Sequence, residues 1–169
     1  MKRHLATGLL LLCVALLASG AEFIRGDLKL ELFERSARFL LSYRGEDGWQ
    51  PLLFPNDPQT TALDVLEANQ IHRMGDSGQF SQRVGMTPYG PEFVWESATV
   101  LVRQRFSFTR GRLSTDYDGL QIEVEIENRA EQPRELGARM LFDTYLGEGT
   151  GDHFYLSGTQ PIVEERELS

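Results

Sequence analysis

The residues richest in chemistry fall near the C-terminal end. Arg139, Asp143 and Tyr145 sit at alternate positions in Arg139-Met140-Leu141-Phe142-Asp143-Thr144-Tyr145, so an extended chain would set them on one face. The loop that follows, Gly147-Glu148-Gly149-Thr150-Gly151-Asp152-His153, adds two carboxylates and an imidazole. Together Arg139, Asp143, Tyr145, Glu148, Asp152 and His153 are the candidate binding residues. They suit a polar ligand or a cation. The competing and commoner reading is a loop tethered by Asp143, because Asp side chains readily bond backbone near turns.

Other residues carry weaker signals. Asp116-Tyr117-Asp118-Gly119 opens like a calcium loop, but its twelfth position, Glu127, falls inside a strand pattern. A turn is the better reading. His72 and His153 have no zinc-like spacing. Glu92 and Glu96 bracket Phe93-Val94-Trp95 and could form a carboxylate pair, although acids are abundant here. Trp49, Tyr89, Phe93 and Trp95 lie near loops; exposed rings would stack on sugars, whereas core packing is the default. Arg25-Gly26-Asp27 matches an integrin-binding tripeptide, too short a match to carry weight. No nucleophile elbow, phosphate loop or dinucleotide fingerprint occurs. These residues assign no catalytic role, no metal and no cofactor.

The elements that position these groups read as strands. Leu28, Leu30 and Leu32 alternate with Lys29 and Glu31. Val100, Val102, Phe106 and Phe108 alternate with Arg103, Arg105 and Ser107, with Gln104 interrupting the apolar set and Leu101 the apolar exception on the other face. Leu120, Ile122, Val124 and Ile126 alternate with Gln121, Glu123, Glu125 and Glu127. Period two with one apolar face predicts antiparallel sheet over a core. If the last two segments are neighbours, Arg103 and Arg105 lie beside the glutamates. Tight turns are expected at Gly45–Gly48 and Asp116–Gly119, and loops at Gly85–Pro91 and Glu131–Pro133. Pro51, Pro55 and Pro58 exclude a central strand there. Thr61–Asn69 fits two helical turns or an irregular strand and loop.

The expected fold is all-β, an antiparallel β-sandwich. Two segments frame it. Residues 1–21 have a basic start, an apolar run and small residues at Ser19-Gly20-Ala21, the pattern of a secretory signal peptide cut after Ala21. Residues 22–169 then form one domain. Its end, from Pro161 through Ile162 and Val163, reads as a strand that stops short, an incomplete sandwich edge.

Composition narrows the partners. The 169 residues hold 17 Lys and Arg against 25 Asp and Glu, a net charge of −8, which argues against binding a phosphate backbone. The single Cys, Cys13, lies in the leader, so thiol catalysis and disulfides are excluded from the remainder. With no Asn-x-Ser/Thr sequon, these features suit a periplasmic or extracellular bacterial protein. The membrane enters only through the leader during export.

The run from Ile126-Glu127-Asn128 through Arg139-Met140-Leu141-Phe142-Asp143-Thr144 resembles segments of uncharacterised exported bacterial β-sandwich proteins. From Phe93 to Gly147 the layout of alternating strands also resembles galactose-mutarotase-like, sugar-handling domains. The resemblance implies a sandwich and a sugar ligand, and carries over no catalytic residue. The expected function is non-catalytic binding of a glycan or an envelope protein. The alternatives are a fragment of, or a degenerate, sugar-active enzyme, and a structural envelope component.

Overall fold

Alternating apolar and charged residues cannot be helical without burying charge on every turn, and the chain answers with strands. The computed structural model describes residues 20–56, 60–112, 114–145, 155–156 and 160–161, and among them there is no helix. β1 (Ala21–Arg25), β2 (Leu28–Phe33), β3 (Arg38–Gly45) and β4 (Gly48–Pro51) form a four-stranded antiparallel sheet in chain order. β5 (Ala62–Glu67) and β6 (Gln70–Arg73) make a hairpin. β7 (Ser81–Thr87), β8 (Gly90–Glu96), β9 (Val100–Thr109) and β10 (Gly119–Asn128) form a second four-stranded meander. β11 (Leu136–Leu141) then returns to β5 and completes a three-stranded sheet, β11-β5-β6. β12 (Tyr155–Leu156) and β13 (Gln160–Pro161) pair with each other.

All three larger sheets feed one core. Leu30 and Leu32 of β2, Phe39 of β3, Leu63 and Val65 of β5, Trp95 of β8 and Val102 and Phe106 of β9 belong to a single buried cluster. The protein is all-β and sandwich-like. The apolar face of β10 packs on this core only partly: Leu120, Ile122, Val124 and Ile126 remain half-buried.

The charged faces fix the register. β9 and β10 pair Arg105 with Glu123 and Arg103 with Glu125. Arg105 reaches Glu123 at 3.0 Å, Glu125 at 2.6 Å and Glu92 of β8 at 3.4 Å. Arg103 lies 3.5 Å from Glu125 and 3.6 Å from Glu127. The hydrogen bond to Glu125, with the neighbouring carboxylates, raises the Arg105 pKa further. Half-exposed pairs of this kind contribute at most about 1 kcal/mol each. Their effect is to penalise slippage, since a one-residue shift would set the arginines opposite apolar residues such as Ile122 and Val124 and break the ladder. Gln104, the polar residue in the apolar set, is buried, with its Nε2 3.9 Å from the Met140 sulfur.

Two segments differ from expectation. Residues 61–69 are not helical. Leu63 and Val65 both point into the core, and Ala68 and Asn69 take positive φ (48° and 67°), the backbone of a two-residue hairpin turn. Pairing on both edges of β5 overrides the helical spacing of Leu63 and Leu66. The loop expected at Gly85–Pro91 shrinks to Pro88-Tyr89. Gly85 and Met86 continue β7, and Pro91 sits near the head of β8. The Thr87 hydroxyl closes this turn, donating to the Gly90 carbonyl at 2.8 Å and accepting from the Tyr89 and Gly90 amides. Gly90 is required there: φ is +152° and a Cβ would fall 2.1 Å from the Phe106 carbonyl oxygen.

The predicted leader lies outside the described residues except for Gly20 and Ala21, and Ala21 begins β1. The strand expected beyond Pro161 also lies outside them. No helix among the described residues is long and apolar enough to cross a membrane.

Candidate functional site

Arg139 and Asp143 do not act as one group. β11 ends at Leu141, so the strict alternation behind the shared-face reading stops before Asp143. Arg139 points to β5, where its Nη2 donates to Asp64 Oδ2 at 2.6 Å. Asp143 instead accepts from the Thr60 hydroxyl at 2.6 Å. The Asp143 carbonyl accepts from the Phe54 amide, the Tyr145 amide donates to the Leu52 carbonyl, and Thr144 bridges Leu53. Asp143 and Tyr145 therefore fasten the chain after β11 to the segment after β4, which is the tether reading. Glu148, Asp152 and His153 lie outside the described residues.

This tether is testable by itself. Removing the Thr60 hydroxyl deprives a charged acceptor of one bond, so Thr60→Val should lower the unfolding free energy by about 1–2 kcal/mol in a urea titration. Thr60→Val and Asp143→Ala together should cost clearly less than the sum of the two alone. Strict additivity would show that the two groups do not interact.

The sequence reading missed the carboxylate at the centre of the three-stranded sheet. Asp64 is 5% exposed and accepts from Arg73 of β6 (Nε 2.8 Å, Nη2 3.2 Å) as well as from Arg139. The Arg73 hydrogen bond holds its carboxyl below the usual carboxylate value; burial opposes this, and Arg139 adds to it. The same pairing pushes Arg73 up. The available signal was an acid inside the apolar run Ala62-Leu63-Asp64-Val65-Leu66. A second buried acid, Glu67, is held by Arg134 at 2.5 Å and by the Thr99 hydroxyl at 2.6 Å. Arg38 is buried as well, donating to the Ser36 and Met74 carbonyls and to Asp76. The Asp64 and Glu67 pairs lock the three-stranded sheet internally, and Arg38 ties β3 to the segment after β6.

The other candidates separate by exposure. Phe93 and Trp95 are core residues. The Arg44 guanidinium lies 4.6 Å from the Trp49 ring centre, and the Lys29 ammonium 5.6 Å from it. Glu92 is engaged by Arg105 and Glu96 by Arg129. His72 is buried, with Nδ1 3.3 Å from the Ser77 hydroxyl and its ring edge-on to Phe80. Arg25-Gly26-Asp27 forms the β1–β2 turn, with Gly26 at φ 57°. Among the described residues no group of three or more His, Cys, Asp or Glu is placed to hold a metal.

Tyr89 stands apart. It is 82% exposed at the tip of the β7–β8 hairpin. Beside it a cleft of about 340 Å³ opens between that hairpin and β1, lined among others by Glu22, Phe23, Arg25, Met86 and Phe108. No family model, curated protein or solved structure matches this chain. Any functional reading therefore rests on such geometry.

The cleft joins three kinds of surface. Tyr89 and Met86 present apolar area that stays in water, Met86 at 66% exposure. Glu22 and Arg25 supply an acceptor and a donor on the edge strand β1. The Thr87 bonds hold the turn that carries Tyr89, so its backbone is fixed before any ligand arrives.

Proposed function

We propose that this chain is an exported, non-catalytic β-sandwich that binds a glycan at the cell envelope, with Tyr89 as the ring on which a sugar stacks. The observation that carries the reading is a fully presented aromatic beside an acid and a base, in a cleft of small-ligand size. A tyrosine pairs an apolar body with a polar tip, which matches a pyranose with its C–H face and hydroxyl rim. The excess of acids over bases leaves nucleic acid a poor alternative.

Calorimetric titration with a panel of neutral mono- and oligosaccharides tests this. The wild-type chain should bind at least one of them. Tyr89→Ala should weaken that binding about tenfold, the scale of one aromatic contact. Its melting temperature should stay unchanged, since exposed substitutions shift stability by about 0.5 kcal/mol or less. Absence of binding to every sugar, or binding indifferent to Tyr89, sinks the proposal.

A further inference from the structure

The outer face of the three-stranded sheet carries an arrangement that the tether and the Tyr89 cleft leave unused. Register places Arg139, Asp64 and Arg73 in one row across β11, β5 and β6. The next row on that face is Gly137, Leu66 and Ile71. Gly137 has no side chain to fill its place, and Ile71 is 65% exposed. The result is a hollow of about 220 Å³ with an apolar floor and an arginine wall.

The charges do not cancel. Two guanidiniums meet one carboxylate, which leaves a local positive charge on a chain whose net charge is −8. Arg139 gives only Nη2 to Asp64, and its side chain remains 70% exposed. Among the described residues Asp64 is its one hydrogen-bond partner, so its Nε and Nη1 hydrogens and the second Nη2 hydrogen remain available. The Asp64 bond also limits the swing of the guanidinium, which lowers the ordering cost of a second interaction.

A planar donor fork held at the rim of an apolar hollow suits a carboxylate on an apolar-faced body. We infer that this shelf binds the carboxylate of an acidic sugar residue, with Arg139 as the donor and Leu66 and Ile71 beneath the ring. The ligand class rests on the glycan reading above; the site itself rests on its own residues.

Ligand-observed NMR titration with glucuronate, glucose and acetate at fixed ionic strength tests it. Glucuronate should bind the wild-type chain about tenfold tighter than either glucose or acetate, the scale of a charged hydrogen bond. Added salt should erode that advantage. Arg139→Gln should abolish it. Arg139→Lys, which keeps the charge but loses the fork, should remove most of it and serves if the glutamine variant fails to fold. Arg129→Gln, which removes an exposed arginine held by Glu96 and Glu127 elsewhere, should retain it. Glucuronate binding no tighter than glucose, or an advantage that survives both Arg139 variants, overturns the shelf. If glucose binds through Tyr89 while glucuronate gains nothing, the shelf alone fails. If no sugar binds, both readings fail.

Discussion

Trp95→Ala should lower the unfolding free energy by about 3–5 kcal/mol, while Trp95→Phe should cost about 1–2 kcal/mol. Trp95 is completely buried on β8, a strand with neighbours on both edges. Its ring lies 5.4 Å from that of Phe93, and its backbone pairs with Val102. Alanine would remove the largest side chain of the core and leave a void that rigid sheets collapse poorly. Phenylalanine keeps most of the apolar area. It also removes the indole N–H, which is the one buried side-chain polar atom without a partner among the described residues. A buried donor left unpaired costs about 1–3 kcal/mol, so its deletion offsets part of the lost packing. Guanidinium titration followed by circular dichroism separates the two variants. Equal losses would mean that the indole N–H has an acceptor after all.

Asp64→Asn should cost about 2 kcal/mol at neutral pH and flatten the acid limb of the stability curve. The carboxylate is nearly buried, and both arginines bond to its charged form. Its folded pKa lies below the ordinary value of 3.8, so the folded state favours the ionised acid. That contribution is fully present above about pH 4 and is lost as pH falls through the folded value. The two arginines are partly solvated, which keeps the effect nearer the low end for charged hydrogen bonds. Urea midpoints measured from pH 7 down to pH 2 should converge for wild type and variant at the acid end. Parallel curves would show that Asp64 gains nothing from its pairing.

Local pattern made much of this legible. The runs over β2 and β10 follow strict alternation, because each buries one face only; β9 keeps the parity of Arg103 and Arg105 despite the buried Leu101 and Gln104, and the Arg–Glu ladder follows from that parity. Pattern failed where distant pairing decides. Residues 61–69 carry Leu63 and Leu66 at helical spacing, and only β11 on one edge and β6 on the other commit them to a strand. Gly85 and Pro91 look like loop residues, yet an edge strand tolerates the first, and the second precedes the stretch of β8 that pairs with β9. Arg139 was visible as a charged residue on a strand, but Asp64, 75 residues away, was not visible as its partner. The common role for Arg139 and Asp143 assumed continued alternation, and the strand ends too soon for that.

The strand order also sets a sequence of events in time. Both four-stranded sheets join only consecutive strands, so each can zip from local turns with little loss of chain entropy. The β5–β11 seam is different. It must bring together residues separated by the whole meander, and that closure is entropically costly until the rest of the core is in place. The seam is thus the late clasp of the fold, and the first part to open on thermal fluctuation. Amide protection in pulse-labelled refolding reads this order directly, with Glu123 and Glu125 protected before Arg139. Earlier protection at Arg139 would reverse it.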